Sequence, residues 1–394
     1  MTTLATTNPA WERWLSTRST VRAARDMQRV DTSRETLFDL ASNDYLGLGS
    51  HPQVRHGAIN AVCSAGAGAG ASRVAGGTWQ VHRELEAALA GYTGRSQALV
   101  FSSGYTANLG VLGALGGPGS LMLLDAHAHA SLIDGAKLSG AAVQYFEHNN
   151  LDALRTLLAA NATSAAPKPR VLVAAESIYS VLGDAAPLRE LAVLCAQFDA
   201  LLLVDEAHSL AAVPGGSALK SAGLAQAGHV LATATLSKAL GSQGGAVLLG
   251  GAGAPLWREH LLNTARTFIF DTALAPATAA AAHAALDLAT EARIGQLAAN
   301  AQLIRTVLGA QDQLASRIQA DAGAVQSVLM QSAQQAVQAA AELREQGIAV
   351  SCFRPPSVPD GISRLRLTAH AGHEQDELAS ALAAVARTIR KVEA

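Results

Sequence analysis

Short apolar runs alternate with helical patterns through the middle of the chain. "ALVF" at 98, "SLMLL" at 120, "AVQYF" at 142, "RVLVAAE" at 170, "ALLLVDE" at 200, "HVLATAT" at 229 and "AVLLG" at 246 have the length and near-continuous apolarity of buried strands. Helices between them predict an α/β protein with a mostly parallel sheet covered on both faces. Ligands of such sheets bind beyond the carboxyl ends of the strands, which is where Glu176, Asp205 and Thr235 fall. After about residue 290 helical patterns flank "AVQSVLM", "IAVSCFRPP" and "SRLRLTAHA", which predicts a smaller C-terminal α+β domain. The expected division is an N-terminal segment 1–50, a large domain 51–285 and a small domain 286–394.

Composition narrows the class. Hydrophobic residues are 49% of the 394 and charged residues only 15%, against an ordinary quarter or so. Much of the apolar content is Ala and Gly, which suits close backbone packing and a buried subunit interface. A formal net charge of −2 with no long basic run argues against a nucleic-acid surface or a polybasic membrane anchor. The first thirty residues carry charges at close intervals and lack the apolar core of an export signal. Cys63, Cys195 and Cys352 are far apart and outside any C-x-x-C pair, so neither a disulfide framework nor a zinc site is indicated. The uncharged-looking "TALAPATAAAAHAALDLA" contains Pro276, His283 and Asp287 and reads as a buried helix rather than a membrane span. A small-molecule enzyme of the reducing cytoplasm is expected.

The candidate chemistry begins with Lys238 in "TATLSKALGSQGG". Its neighbours supply no acid, so either the amine snorkels to water or it is a desolvated lysine suited to Schiff-base chemistry. "LLLVDEAHSL" runs a strand into Asp205 and His208, three apart; a helix cap with a surface histidine is the plainer alternative. "FSSGYTANLG" places Gly104 at a turn before a helix, where backbone N–H groups bind phosphate. His127 and His129 share another strand-to-helix connection, where metal ligation, ring stacking and simple exposure all remain open. The glycines of "AGAGAGASRVAGG" fit a dinucleotide loop poorly. A lysine for an imine, an acid for a pyridine nitrogen, amides and hydroxyls for a phosphate, and a stacking ring together match one cofactor, pyridoxal 5'-phosphate.

At that point the chain resembles the α-oxoamine synthases, a family of fold type I pyridoxal-phosphate-dependent transferases. The likeness runs from "ASNDYLGLGSHP" at 41 through "FSSGYTANLG", "HASLIDG", "DEAHS", "TLSKALGSQGG" and "FIFDTALAP" to "FRPPSVPDGISRLRLTAHAGH" at 353. It implies that Lys238 holds the cofactor as a Schiff base, that Asp205 pairs with the ring nitrogen and that His208 contacts the ring oxygen. His129, rather than His127, matches the stacking histidine. The phosphate falls to the Gly104 and Tyr105 amides with Thr235 and Ser180, and Thr272 reaches the phosphate of the second subunit in a homodimer. Arg366 matches the arginine that holds the amino acid carboxylate, with Ser357, Asn43, Arg25 and His129 as further substrate contacts. Within the family, "RPP" before Ser357 favours the biotin-pathway reaction, a decarboxylative condensation of L-alanine with pimeloyl-CoA or a pimeloyl carrier protein. A sister condensation of glycine with a short acyl-CoA, an aminotransferase and a cofactor-binding regulatory module are the alternatives. Two positions depart from the family pattern: Ser209 stands for a usual glycine and Asp271 for a usual small hydroxyl residue.

Overall fold

The computed structural model describes residues 8–25, 27–28, 36–162, 168–319, 322–355, 358 and 360–394. Twelve strands are present among them. The larger sheet holds β2 (Gln97–Phe101), β3 (Ser120–Asp125), β4 (Ala142–Phe146), β5 (Arg170–Glu176), β6 (Leu201–Asp205), β7 (Val230–Thr235) and β8 (Gly245–Leu249). Their spatial order is β2-β8-β7-β6-β5-β3-β4. Every expected strand forms, and all pairs are parallel except those made by β8, which runs antiparallel to both neighbours. The β7–β8 connection is therefore short, and this tight return carries Lys238.

The continuity of the apolar runs is explained by burial. All six residues of β3 and all six of β7 are buried, because helices lie on both faces. One face packs into a core with Leu123, Val173, Leu202, Val204, Ala232 and Leu248. The other packs Leu124, Ala174, Leu203, Leu231 and Val247 against the helices Gly104–Leu115 and Ala254–Thr264. The Ala-rich segment forms the helix Pro276–Leu288, packed against the helices Pro52–Ala65 and Gln80–Thr93. Among the described residues no helix is long and apolar enough to cross a membrane.

The smaller sheet has the order β1-β11-β12-β10-β9, with β1 (Phe38–Leu40), β9 (Ile318–Gln319), β10 (Val325–Leu329), β11 (Ile348–Phe353) and β12 (Arg364–Thr368). β1 and β9 are absent from the sequence reading because three and two residues are too few to show a period. β1 pairs parallel with β11. The backbone after β1 stays on this sheet: Thr368 donates its hydroxyl to the Ser42 carbonyl and the Ala371 amide donates to that of Tyr45. This pairing brings Asn43 and Tyr45 next to residues more than three hundred positions later.

Candidate active site

Lys238 lies on the turn after β7, half-buried, with its Nζ 2.6 Å from His208 Nε2. On the other side of the ring, His208 Nδ1 is 2.7 Å from the Tyr45 hydroxyl, and that hydroxyl donates to Asn43 Oδ1 at 3.1 Å. Donor logic then assigns the tautomer: Nδ1–H donates to Tyr45 and Nε2 accepts from Lys238. Asn43 Oδ1 also accepts from Arg366 Nη2 at 3.1 Å. A single hydrogen-bonded line thus joins Arg366, Asn43, Tyr45, His208 and Lys238. Burial, followed by the charges of Lys238 and Arg366, holds the His208 imidazole well below its usual range. Burial also brings the Lys238 amine down to about 8, against the opposing pull of Asp205 and Glu176.

Asp205 ends β6. Its Oδ1 accepts the Ala207 amide at 2.8 Å and its Oδ2 accepts Asn108 Nδ2 at 2.7 Å. Asn108 is oriented in turn by Thr233, which donates to its Oδ1 at 2.6 Å, and by Ser131 at 2.8 Å. Beside Asp205, in register on β5, stands Glu176. Its Oε2 accepts the Ser180 amide at 3.1 Å, while Oε1 is buried without a partner among the described residues. Burial first, then the Asp205 charge, pushes the Glu176 carboxyl up to about 8.

A cavity of about 250 Å³ brings Lys238, Asp205, Glu176, His208 and His129 together. At its other end the helix Gly104–Leu115 begins, capped by Ser103, whose hydroxyl accepts the Thr106 amide. Gly104, Tyr105, Thr235 and Ser237 complete that wall. A Cβ on Gly104 would lie 3.0 Å from Thr235 Cβ, and one on Gly245 would lie 2.2 Å from the Ser103 carbonyl oxygen. Side chains at these glycines would displace this helix start, and helix starts of this kind bind anions through their free backbone N–H groups.

His129 caps the helix Ala130–Ser139 and exchanges a 2.7 Å hydrogen bond through Nδ1 with Ser131. His127 instead lies against His148, outside the cavity lining. Arg366 is buried and outside the cavity lining, joined to the lining residue His208 through Asn43 and Tyr45; it is forked between the Ser180 carbonyl at 2.9 Å and Asn43, and its Nε has no partner among the described residues. Thr272 bridges Ser72 and does not line the cavity of its own chain. Arg25 is exposed at the end of the helix Pro9–Ala24. Ser357 lies outside the described residues. Sequence reading missed Tyr45 and Asn108, although both sit inside quoted motifs, "ASNDYLGL" and "GYTANLG". It marked Glu176 as a strand end without giving it a role.

The described residues suit pyridoxal phosphate: an amine and a carboxylate share one cavity, and the far wall is a helix start lined with hydroxyls. A family-level match to aminotransferase class I and II covers residues 35–385. The 8-amino-7-oxononanoate synthase of Mycolicibacterium gilvum is 46% identical over 375 residues, spanning 93% of this chain and 94% of that one. The chain belongs to the 8-amino-7-oxononanoate synthase family. The enzyme of the same name from Mycolicibacterium smegmatis is also 46% identical, over 94% of both chains.

Among solved structures, a serine palmitoyltransferase from S. paucimobilis with a bound PLP–myriocin aldimine superposes with a TM-score of 0.87. It shares 28% identity and covers 96% of this chain and 99% of its own. The Francisella tularensis 8-amino-7-oxononanoate synthase gives 0.75 at 25% identity, covering 92% of this chain and 100% of its own. Backbone likeness here reports a scaffold shared by enzymes with different substrates, so the side chains must carry the distinction. As a member of the 8-amino-7-oxononanoate synthase family, the protein is a fold type I, pyridoxal-phosphate-dependent enzyme. Both departures from the family pattern have visible partners. The Ser209 hydroxyl joins Ser177 at 2.8 Å and Glu206 at 3.2 Å, and Asp271 accepts the Ser102 hydroxyl.

Proposed function

We propose that the protein condenses L-alanine with a pimeloyl thioester and releases carbon dioxide, the free thiol and 8-amino-7-oxononanoate. The observation that carries this reading is the 46% identity across nearly the full length of synthases of that name. In this reading Lys238 holds the cofactor carbonyl carbon, Asp205 its ring nitrogen, His208 its ring oxygen and His129 its face. Gly104, Tyr105, Thr235 and Ser180 serve the phosphate, and Thr272 that of the second subunit of a homodimer. When bound, pyridoxal phosphate supplies an electron sink for charge that develops at the α-carbon of the amino acid.

The chain's own groups handle charge and protons. Arg366 fixes the alanine carboxylate with its planar fork, assisted by Asn43, Ser357 and Arg25. Its Nε, without a partner among the described residues, is a donor already desolvated for that purpose. Lys238 Nζ, with a pKa of about 8, is poised near neutral pH to take the α-proton and later return one at the same carbon. His208 accepts from Nζ at 2.6 Å and so aims the lone pair once the amine is neutral. Decarboxylation removes the negative group that Arg366 held, and the product then leaves a site tuned for a carboxylate. A homodimer in the cytoplasm is the proposed setting. Mixing the purified protein with L-alanine and pimeloyl-CoA and identifying the amino ketone by mass tests the reading; no thiol release with either pimeloyl carrier would overturn it.

A further inference from the structure

His148 follows β4 and reaches two other loops. Its Nδ1 is 2.8 Å from Asp125 Oδ1 at the end of β3, and its Nε2 is 2.9 Å from Asp184 Oδ2 in the connection after β5. Each nitrogen faces a carboxylate oxygen, an arrangement that requires hydrogen on both and hence an imidazolium. Burial opposes this charge, but the hydrogen bonds to Asp125 and Asp184 push the imidazole up to about 9. The ring is stacked on His127 with centroids 4.0 Å apart, and Tyr179 meets it edge-on at 4.4 Å. Beyond these four neighbours, Asp360 acts on His127 and Glu176 acts on Tyr179.

Both carboxylates are loop hubs. Asp125 also accepts the amides of His127 at 2.7 Å and Asn149 at 2.9 Å, while its carbonyl accepts that of Ala128. These bonds set the path of residues 125–129, and His129 is their last member. Asp184 accepts Asn149 Nδ2 at 2.9 Å, and its carbonyl accepts the Tyr179 amide. That second loop presents the Ser180 carbonyl to Arg366.

We propose that His148 is a positioning residue: the bridge Asp125–His148–Asp184 locks the loop carrying His129 to the loop carrying Ser180 and, through it, Arg366. The proposal rests on the roles given above to His129 and Arg366. Because the charged ring makes both bonds, the lock is complete at neutral pH and is lost as pH rises through about 9.

The test compares wild-type holoenzyme with His148→Gln, which keeps two N–H donors without charge, and His148→Leu, which keeps neither. Cofactor release on dilution and the alanine KM are followed from about pH 7 to about pH 10, with kcat recorded separately. At neutral pH the Leu variant should release cofactor about tenfold faster and raise the alanine KM by a similar factor, as expected for lost hydrogen bonds to charged groups. The Gln variant should fall between. Wild-type release should accelerate as pH passes about 9, a step that both variants lack. Cofactor release and alanine KM within about twofold of wild type in the Leu variant would overturn the proposal, as would an unchanged alkaline step. Should His148→Leu not fold, Asp184→Ala removes the acceptor of His148 Nε2 and takes the same readouts. Normal cofactor release effects in a protein that makes no product from alanine would count against the proposed reaction instead.

Discussion

Glu176 and Asp205 end adjacent parallel strands in register, so two carboxyl groups close one wall of the same cavity. Among the described residues Asp205 has two donors, Ala207 and Asn108, whereas Glu176 has one, Ser180, and its Oε1 has none. Like charges this close cannot both be well solvated, and the less supported group is the one driven toward its neutral form.

The consequence is measurable in the cofactor-free protein. With a folded pKa of about 8 against an ordinary 4.5, Glu176 keeps a proton that the unfolded chain releases. Its contribution is full below about pH 4.5 and is lost as pH rises through about 8. Glu176→Gln removes that slope. The melting temperature of the variant should therefore gain on wild type between about pH 5 and about pH 8, by roughly 1 °C per kcal/mol for a chain of this length. A gap that stays constant over this range would mean that Glu176 is ionised throughout.

Lys238→Ala should abolish turnover and leave no borohydride-reducible adduct. The amine is the one placed 2.6 Å from His208 at the wall shared with Asp205, whereas Lys220 donates to the Tyr92 carbonyl far from the cavity lining. Peptide mapping of the reduced wild-type protein checks the assignment, and a label on Lys137 or Lys220 would refute it.

The sheet was legible because strands buried on both faces are written as unbroken apolar runs, and the Lys238 turn was legible as a glycine-rich break after one of them. What local pattern could not show was the answer to the charge on Lys238. Its compensating charge arrives from another strand: Asp205, at the end of β6. Asn108 and Tyr45 were invisible for the same reason, since their value comes from contacts 97 and 163 positions away. His148 offered even less, because a histidine in "FEHNN" carries no period and no motif; only folding brings Asp125 and Asp184 to its two nitrogens.

Asp205→Asn is nearly isosteric and should preserve the fold while deleting the negative charge that faces Lys238 across the cavity. Asn108 can flip its amide to present an acceptor, so the pocket should survive and cofactor should still bind. Exchange of the alanine α-hydrogen in heavy water should nevertheless fall by about 10²-fold or more, the usual scale for losing a preorganised charge at a reacting centre. Exchange at the wild-type rate would remove Asp205 from its assigned place opposite the ring nitrogen.

Substrate choice divides into two measurements with different requirements. Removal of the α-proton needs only alanine, cofactor and Lys238, so alanine alone should exchange its α-hydrogen with solvent; carbon dioxide should appear only when a pimeloyl thioester is added. Arg366 is buried and forked between Ser180 and Asn43, so Arg366→Lys keeps a charge but loses the planar geometry. The alanine KM should rise by about tenfold or more, the scale of one charged hydrogen bond, with a smaller change in kcat. Discrimination at the methyl group is intrinsically weak, because one methylene distinguishes substrates by only ~1–3 kcal/mol, and glycine should therefore be accepted as a slower substrate. Supplying alanine, glycine and serine in turn with acetyl, succinyl, pimeloyl and palmitoyl thioesters, and following thiol release, gives the full ranking. Alanine with the pimeloyl thioester should have the highest kcat/KM. First place for serine with a palmitoyl thioester would instead make the likeness to serine palmitoyltransferase functional, and first place for glycine with acetyl-CoA or succinyl-CoA would move the chain to a sister condensation.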